Sequence, residues 1–227
     1  IIGSIIGDAV LAVFGVQHQQ PEKSKLAIET AWEITNVTAA LRKKMIERRA
    51  EIEQTRNLTE AEERVFKAVL LDVGVGIDGG TVFYGNIGSD EHMTNTVIGD
   101  NVNSASRLEG LTRVYHLPVI VSDFIRNETL EKTSRYHFYE IDTVFVKGKT
   151  QGMKIFFPYD SFSGDEELEG KFQIFEHGLR SYYDGDWSAA RRLFKDSGLD
   201  VAQVFLERIG LKNAPADWSG IWTMTTK

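Results

Sequence analysis

Cysteine is missing from all 227 residues, which removes disulfide frameworks, thiolate nucleophiles and Cys-ligated zinc or iron–sulfur centres. Any metal must sit on oxygen or imidazole. No apolar run approaches the roughly 20 residues that a membrane-crossing helix needs, the longest being Ala9 to Val16. Basic charge is also short. Lys and Arg number 26 against 33 Asp and Glu, a formal charge of -7, which argues against nucleic acid as a partner through a basic surface and leaves room only for local basic sites. Residues Ile1 to Val16 lack the basic n-region and cleavage site of a signal peptide. The chain opens on a strand-like segment without Met, so it is expected to be a piece of a longer protein.

What is present is a soluble globular balance, 42% hydrophobic and 26% charged, long enough for one large domain or a domain with an appendage. Two short β-branched-rich runs, Ile1 to Ile6 and Ala9 to Phe14, flank Gly7-Asp8, the spacing of a tight hairpin with a carboxylate at its tip. Beyond Pro21, Ile34, Val37, Leu41 and Met45 recur at helical steps. That helix is expected to run into a mixed-charge, solvated arm from Arg42 to Arg64 with i,i+4 pairs. Strands are expected over Val69 to Ile77 and Thr81 to Ile87, joined as a hairpin at Asp78-Gly79-Gly80. A short strand, Thr94 to Ile98, leads to Gly99-Asp100 and a helix Asn101 to Tyr115, with Asp100 suited to the N-cap.

Further strands are read at Pro118 to Ser122, Tyr136 to Val146 and Met153 to Phe157, with a helix Asp123 to Leu130 and a turn at Lys147-Gly148-Lys149. Alternating helices and strands with antiparallel hairpins give an α+β sandwich. The expected division is 1–160 for this domain, 161–170 for a linker and 171–227 for a helical hairpin extension. In that extension Gly178, Gly185, Trp187, Ala190 and Phe194 have tetratricopeptide-like spacing, with His177 where leucine is usual. A single such unit cannot bury its own face, so it is expected to pack on the main domain or a protein partner. His18, His92, His116, His137 and His177 are scattered and read as surface or structural.

Four blocks in order, IIGDAVLAVFG (Ile5 to Gly15), VGIDGGTVFYGNIGS (Val75 to Ser89), TVIGDNVNSASRLEGLT (Thr96 to Thr112) and VKGK (Val146 to Lys149), closely resemble the catalytic domain of class III nucleotide cyclases, the adenylate and guanylate cyclases. The resemblance implies a ferredoxin-like α/β sandwich lacking its first strand and helix. It implies attack of a ribose 3′-hydroxyl on the α-phosphorus of a nucleoside triphosphate, with pyrophosphate as leaving group. Two divalent cations, Mg²⁺ or Mn²⁺, serve that reaction in the family.

On the family pattern Asp8 is a metal ligand, although an isolated hairpin aspartate more often accepts backbone N–H bonds. The family's other metal aspartate belongs to a motif that should precede Ile1, so the chain as written is expected to be inactive or nearly so. Asn103 and Arg107, four apart on one helix face, match the residues that orient the ribose and stabilise the transferring phosphoryl group. Lys147 resembles the lysine that meets the terminal phosphates. Ser4 and Thr96 occupy the base-recognition positions. Ser4 replaces the usual lysine of adenylate cyclases, and the guanylate pattern of glutamate and cysteine is absent, so adenine is favoured by elimination.

The family builds its active site from two subunits, which implies a homodimer binding ATP, with a cytoplasmic catalytic portion. A sensor domain or membrane attachment upstream is left open. The reading is therefore an adenylate cyclase catalytic domain. Its rivals are a guanylate cyclase, a non-catalytic cyclase-fold regulatory or dimerisation module, and an interaction protein acting through the helical tail.

Overall fold

The computed structural model describes residues 2–16, 20–70, 72–89, 92–145 and 152–221. A hairpin of β1 (Ile2–Ile6) and β2 (Ala9–Ala12) comes first. Its two-residue loop begins with Gly7 at φ +64°, a conformation that glycine adopts without a Cβ penalty. The helix α1 (Lys23–Thr55) follows and runs for 33 residues, about 50 Å at 1.5 Å per residue. A break at residues 56–59 separates it from α2 (Glu60–Val69). The expected continuous arm to Arg64 therefore ends early, because Thr59 and Glu62 form a reciprocal capping box that starts a new helix. Arg56 pairs with Glu62 across the break, while Arg48–Glu51 and Arg49–Glu53 line the exposed arm.

The central sheet has the order β3-β6-β8-β7, built from β3 (Val75–Ile77), β6 (Val119–Ser122), β8 (Gly152–Asp160) and β7 (Tyr136–Phe145). A separate antiparallel ribbon joins β4 (Phe83–Ser89) to β5 (His92–Ile98). The expected hairpin at Asp78-Gly79-Gly80 is thus corrected: β3 pairs in parallel with β6, and β4 pairs with β5. Val69, read as the start of a strand, ends α2 instead. The expected turn at residues 147–149 lies outside the described residues.

Side chains alternate across the sheet with period two. Val119, Val121, Tyr136, Phe138 and Phe156 face Ile28 and Ala31 of α1 and Ile125 of α4 (Asp123–Leu130). Ile120, Tyr139, Ile141, Ile155, Phe157 and Tyr159 face the other way, toward α3 (Asp100–Tyr115) and the tail. Only the first turns of α1 are buried, through Ser24, Ala27, Ile28 and Ala31. Three of the four are small and let the helix lie close to the sheet, with Ile28 as the one large side chain between them, whereas the stripe read as its apolar face, Ile34, Val37 and Leu41, is exposed.

The tail comprises α5 (Glu166–Tyr183), α6 (Trp187–Ser197) and α7 (Asp200–Ile209). Asp165 caps α5 by accepting from the Leu168 amide, so the helix begins inside the stretch read as a linker, and a third helix follows the expected pair. Gly178 brings α5 and α6 together, since a Cβ there would stand 2.9 Å from the Phe194 ring. Phe172 stacks on both Tyr139 and Phe157 at 4.8 Å, which makes the tail part of the core on that face of the sheet. No helix among the described residues is long and apolar enough to cross a membrane.

Candidate active site

The helix α3 carries two of the candidate residues, Asn103 and Arg107. It lies directly over β3 because two glycines leave room for its backbone. A Cβ at Gly76 would come within 2.1 Å of the Glu109 amide nitrogen and 2.5 Å of the Ala105 carbonyl oxygen, and one at Gly74 within 1.9 Å of Thr112 Oγ1. Its N-terminus is fixed by Asn101, whose Nδ2 donates to the Gly79 carbonyl at 2.7 Å and to Asp78 Oδ2 at 3.1 Å. The Asp78-Gly79-Gly80 segment therefore serves as a seat for α3. The N-cap is Gly99, with Asp100 as the first helical residue and no side-chain cap. The expected capping by Asp100 is corrected to a favourable negative charge at the helix N-terminus.

On the helix so held, Asn103 and Arg107 are both exposed, one turn apart. Asp8 stands exposed at the tip of the β1–β2 hairpin, and Ser4 is half-buried on β1 opposite Leu11. Thr96 is half-buried on β5 opposite Gly85. Strand β1 approaches β5, so the strands bearing Ser4 and Thr96 are neighbours. Lys147 lies outside the described residues.

Among the described residues, no group of three or more His, Asp or Glu side chains is placed to hold a metal ion. Asp8 offers one carboxylate, whereas a Mg²⁺ ion alone requires about six oxygen ligands. The described residues by themselves therefore do not make the two-cation site that the family pattern implies.

The C-terminal end of α3 carries a feature that the sequence reading missed. Tyr115, fully buried, donates its hydroxyl to Asp142 Oδ2 at 2.6 Å. Arg208 from α7 donates to the same oxygen at 2.5 Å and to the Tyr115 hydroxyl at 2.8 Å. Burial pushes the Tyr115 hydroxyl well above the usual tyrosine range, so it remains protonated and a donor. Burial also raises the Asp142 carboxyl, an effect that the Arg208 guanidinium opposes. A sequence signal existed only in the types of these residues: an Asp inside an apolar strand and an Arg near the end of an amphipathic helix.

With this geometry in place, comparison with known proteins identifies the family. Residues 4–158 match the adenylate and guanylate cyclase catalytic domain. The chain belongs to that family. The Dictyostelium discoideum protein named adenylate cyclase, terminal-differentiation specific, is 28% identical over 206 residues, 91% of this chain and 8% of the relative. An adenylate cyclase of Anabaena cylindrica is 37% identical over 87 residues, 38% of this chain and 17% of the relative. The stretch matched by this chain is thus less than a fifth of the length of either protein. A bacterial light-regulated adenylyl cyclase superposes with a TM-score of 0.51 at 25% identity, covering 69% of this chain and 37% of that one. The guanylyl cyclase Cya2 gives a TM-score of 0.51 at 20% identity and 73% coverage of each chain, a likeness of fold. An alignment over 91% of the chain cannot fit within residues 4–158, so the Dictyostelium similarity takes in tail residues as well as the cyclase domain.

Proposed function

We propose that this chain is the catalytic portion of an adenylate cyclase that converts ATP to 3′,5′-cyclic AMP and pyrophosphate at sites shared between two copies. The observation that carries the reading is the exposed pair Asn103 and Arg107 on a helix whose N-terminus and underside are fixed to β3 and its loop. In the reaction the 3′-oxygen forms a bond to the α-phosphorus, the bond from that phosphorus to the pyrophosphate oxygen breaks, and the hydroxyl proton leaves. Asn103 orients the ribose through its amide. Arg107 stabilises the charge that builds on the phosphoryl oxygens, where a preplaced cation favours the transition state.

A homodimer is supported by the two ribbons outside the central sheet. Each exposes a cross-strand apolar pair, Ile5 with Val10 and Phe83 with Ile98. Such pairs are costly to leave in water and suit burial against a second copy. Ser4 and Thr96 lie on these same ribbons, where they read the purine. Adenine as the base is supported by the absence of the guanylate residue pattern and by relatives named adenylate cyclase.

Asp8 contributes one ligand to Mg²⁺ or Mn²⁺, with groups beyond those described completing the set. The test is cyclic AMP formation from ATP by the natural full-length protein with Mn²⁺ or Mg²⁺, in wild type and Arg107→Ala. Metal-dependent turnover that falls in the variant is expected. No turnover of any nucleoside triphosphate would favour a non-catalytic regulatory module, and GTP as preferred substrate would favour a guanylate cyclase.

A further inference from the structure

Three elements meet at one buried oxygen. Asp142 is 1% exposed and lies on β7 at an irregularity in its pairing with β8, between Glu140 and Asp142. Such bulges re-aim a side chain, and this carboxylate is directed into the core. Its Oδ1 accepts from the Thr143 amide at 2.8 Å, and its Oδ2 accepts from both Tyr115 of α3 and Arg208 of α7. The Arg208 guanidinium also lies 4.9 Å from the centre of the Phe205 ring on its own helix. A second polar tie lies beside it, where Tyr183 of α5 donates to Glu140 Oε1 at 3.1 Å.

An ion pair this deep gives little net stability over apolar side chains of the same volume, because both charges lose their water. What it adds is direction: a charged, hydrogen-bonded contact has one geometry, whereas apolar contacts tolerate sliding. The direction here is imposed on α3. That helix is held at its start by Asn101, along its length by Gly74 and Gly76, and at its end by Tyr115. The last hold is the one that the tail supplies. The Dictyostelium relative shares sequence across the cyclase domain and into the tail, as expected if the two work as a unit.

We propose that Arg208 is a positioning residue: through Asp142 and the Tyr115 hydroxyl it fixes the helix that presents Asn103 and Arg107, so that the C-terminal helices set the activity of the site. The inference rests on the cyclase reading for its catalytic consequence. Arg208 touches no substrate. It acts on where α3 lies, and a displaced tail leaves Asn103 and Arg107 on a helix with a loose end.

The decisive variants are mild ones in the natural full-length protein. Tyr115→Phe removes one hydroxyl and keeps the ring, and Arg208→Lys keeps the charge while losing the fork that reaches two acceptors. Each is expected to lower kcat by about 10-fold with KM for ATP nearly unchanged, while circular dichroism and dimer size stay the same. In an Arg107→Ala background Arg208→Lys should lose most of its effect on kcat, yet lower the melting temperature as much as before. Additive losses in kcat, or variants with wild-type kcat, would overturn the proposal. Hydrogen exchange across residues 100–115 gives a readout independent of turnover. Faster exchange in α3 with α4 unchanged is expected in both variants. If the parent protein makes no cyclic nucleotide but this exchange pattern holds, the anchor stands and the cyclase reading falls. Unchanged exchange in α3 would sink the anchor.

Discussion

The side-chain amide of Asn101 donates to the Gly79 carbonyl at 2.7 Å, tying the first turn of α3 to the loop that leaves β3. A Cβ on Gly80, at φ +146°, would stand 2.7 Å from Asn101 Oδ1, so the loop fits the amide only because glycine is there. This contact, with the glycine seat under α3, holds Asn103 and Arg107 in place relative to the sheet.

That seat makes a first prediction. Gly76→Ala would push a methyl group into the backbone at Ala105 and Glu109, which neither helix nor strand can relieve by a rotamer change. A loss of about 1–3 kcal/mol is expected from overpacking of this kind, together with lower kcat as α3 shifts. Urea titration and turnover on the same preparation would check both; wild-type values for either would show that α3 sits elsewhere.

Shared sites make a second. In the full-length protein Asp8→Ala and Arg107→Ala should each lose roughly 10²-fold or more in kcat. Asp8 is exposed on a turn, so its loss should leave the fold intact. Mixing the two variants should restore part of the activity, since a heterodimer would hold one site with both native residues. Subunit exchange without recovery would place Asp8 and Arg107 of one copy in the same site.

Base choice follows from Ser4 and Thr96. Hydroxyls can donate or accept, and so reject the wrong purine less well than a fixed donor or acceptor would. ATP is expected to be preferred over GTP by a modest factor, on the order of 10–100, where a site built for one group can reach about 10⁴. Ser4→Lys should widen the gap. Measuring kcat/KM for both nucleotides with Mn²⁺ would decide, and a native selectivity far above this range would mean that another residue reads the base.

Acid sensitivity has an identifiable source at the far end of the sheet. Arg135 donates to Asp160 at 2.6 Å and holds its carboxyl below the usual aspartate value. A depressed folded pKa means that the folded state binds this proton less readily than the unfolded chain does. The contribution is present above the unfolded aspartate value of about 4 and is lost as pH falls through the lower folded one. Asp160→Asn should therefore flatten the decline in stability below about pH 4. Melting temperatures between pH 3 and 7 would test this, and parallel curves for wild type and variant would refute it.

Local chemistry made much of the fold readable. The helix Asp123–Leu130 has the residues expected of it, with Ser122 accepting from the Ile125 amide as cap, and the Gly7-Asp8 hairpin follows from turn preference alone. Pairing between distant segments was not readable. Asp78-Gly79-Gly80 has turn chemistry, but its strand partners β6, more than 40 positions along the chain, rather than its neighbour. The stripe Ile34, Val37 and Leu41 has helical spacing and yet faces water, because spacing identifies a helix without saying which face meets the sheet. Asn103 and Arg107 were legible as candidates, through the resemblance of their motif to that of the cyclases. Asn101 lies in the same motif but acts on backbone, which no pattern of side-chain types reveals. Arg208 and Asp142, 66 positions apart, belong to no motif at all.

Phe156 and Phe157 are consecutive residues of β8, and each roots a different hydrophobic layer, the first against α1 and α4, the second against the tail. One peptide bond thus joins the two halves of the core. Pulling the tail away would bare Phe157 and Tyr139, while slipping β8 by one residue would turn both layers inside out. Heating is therefore expected to melt the helices at the C-terminus and the sheet in one cooperative transition, with circular dichroism and tryptophan fluorescence tracing the same curve. Trp187 and Trp218 would report from the tail, and Trp32, set edge-on to Phe157 and packed against both layers, from the join between them.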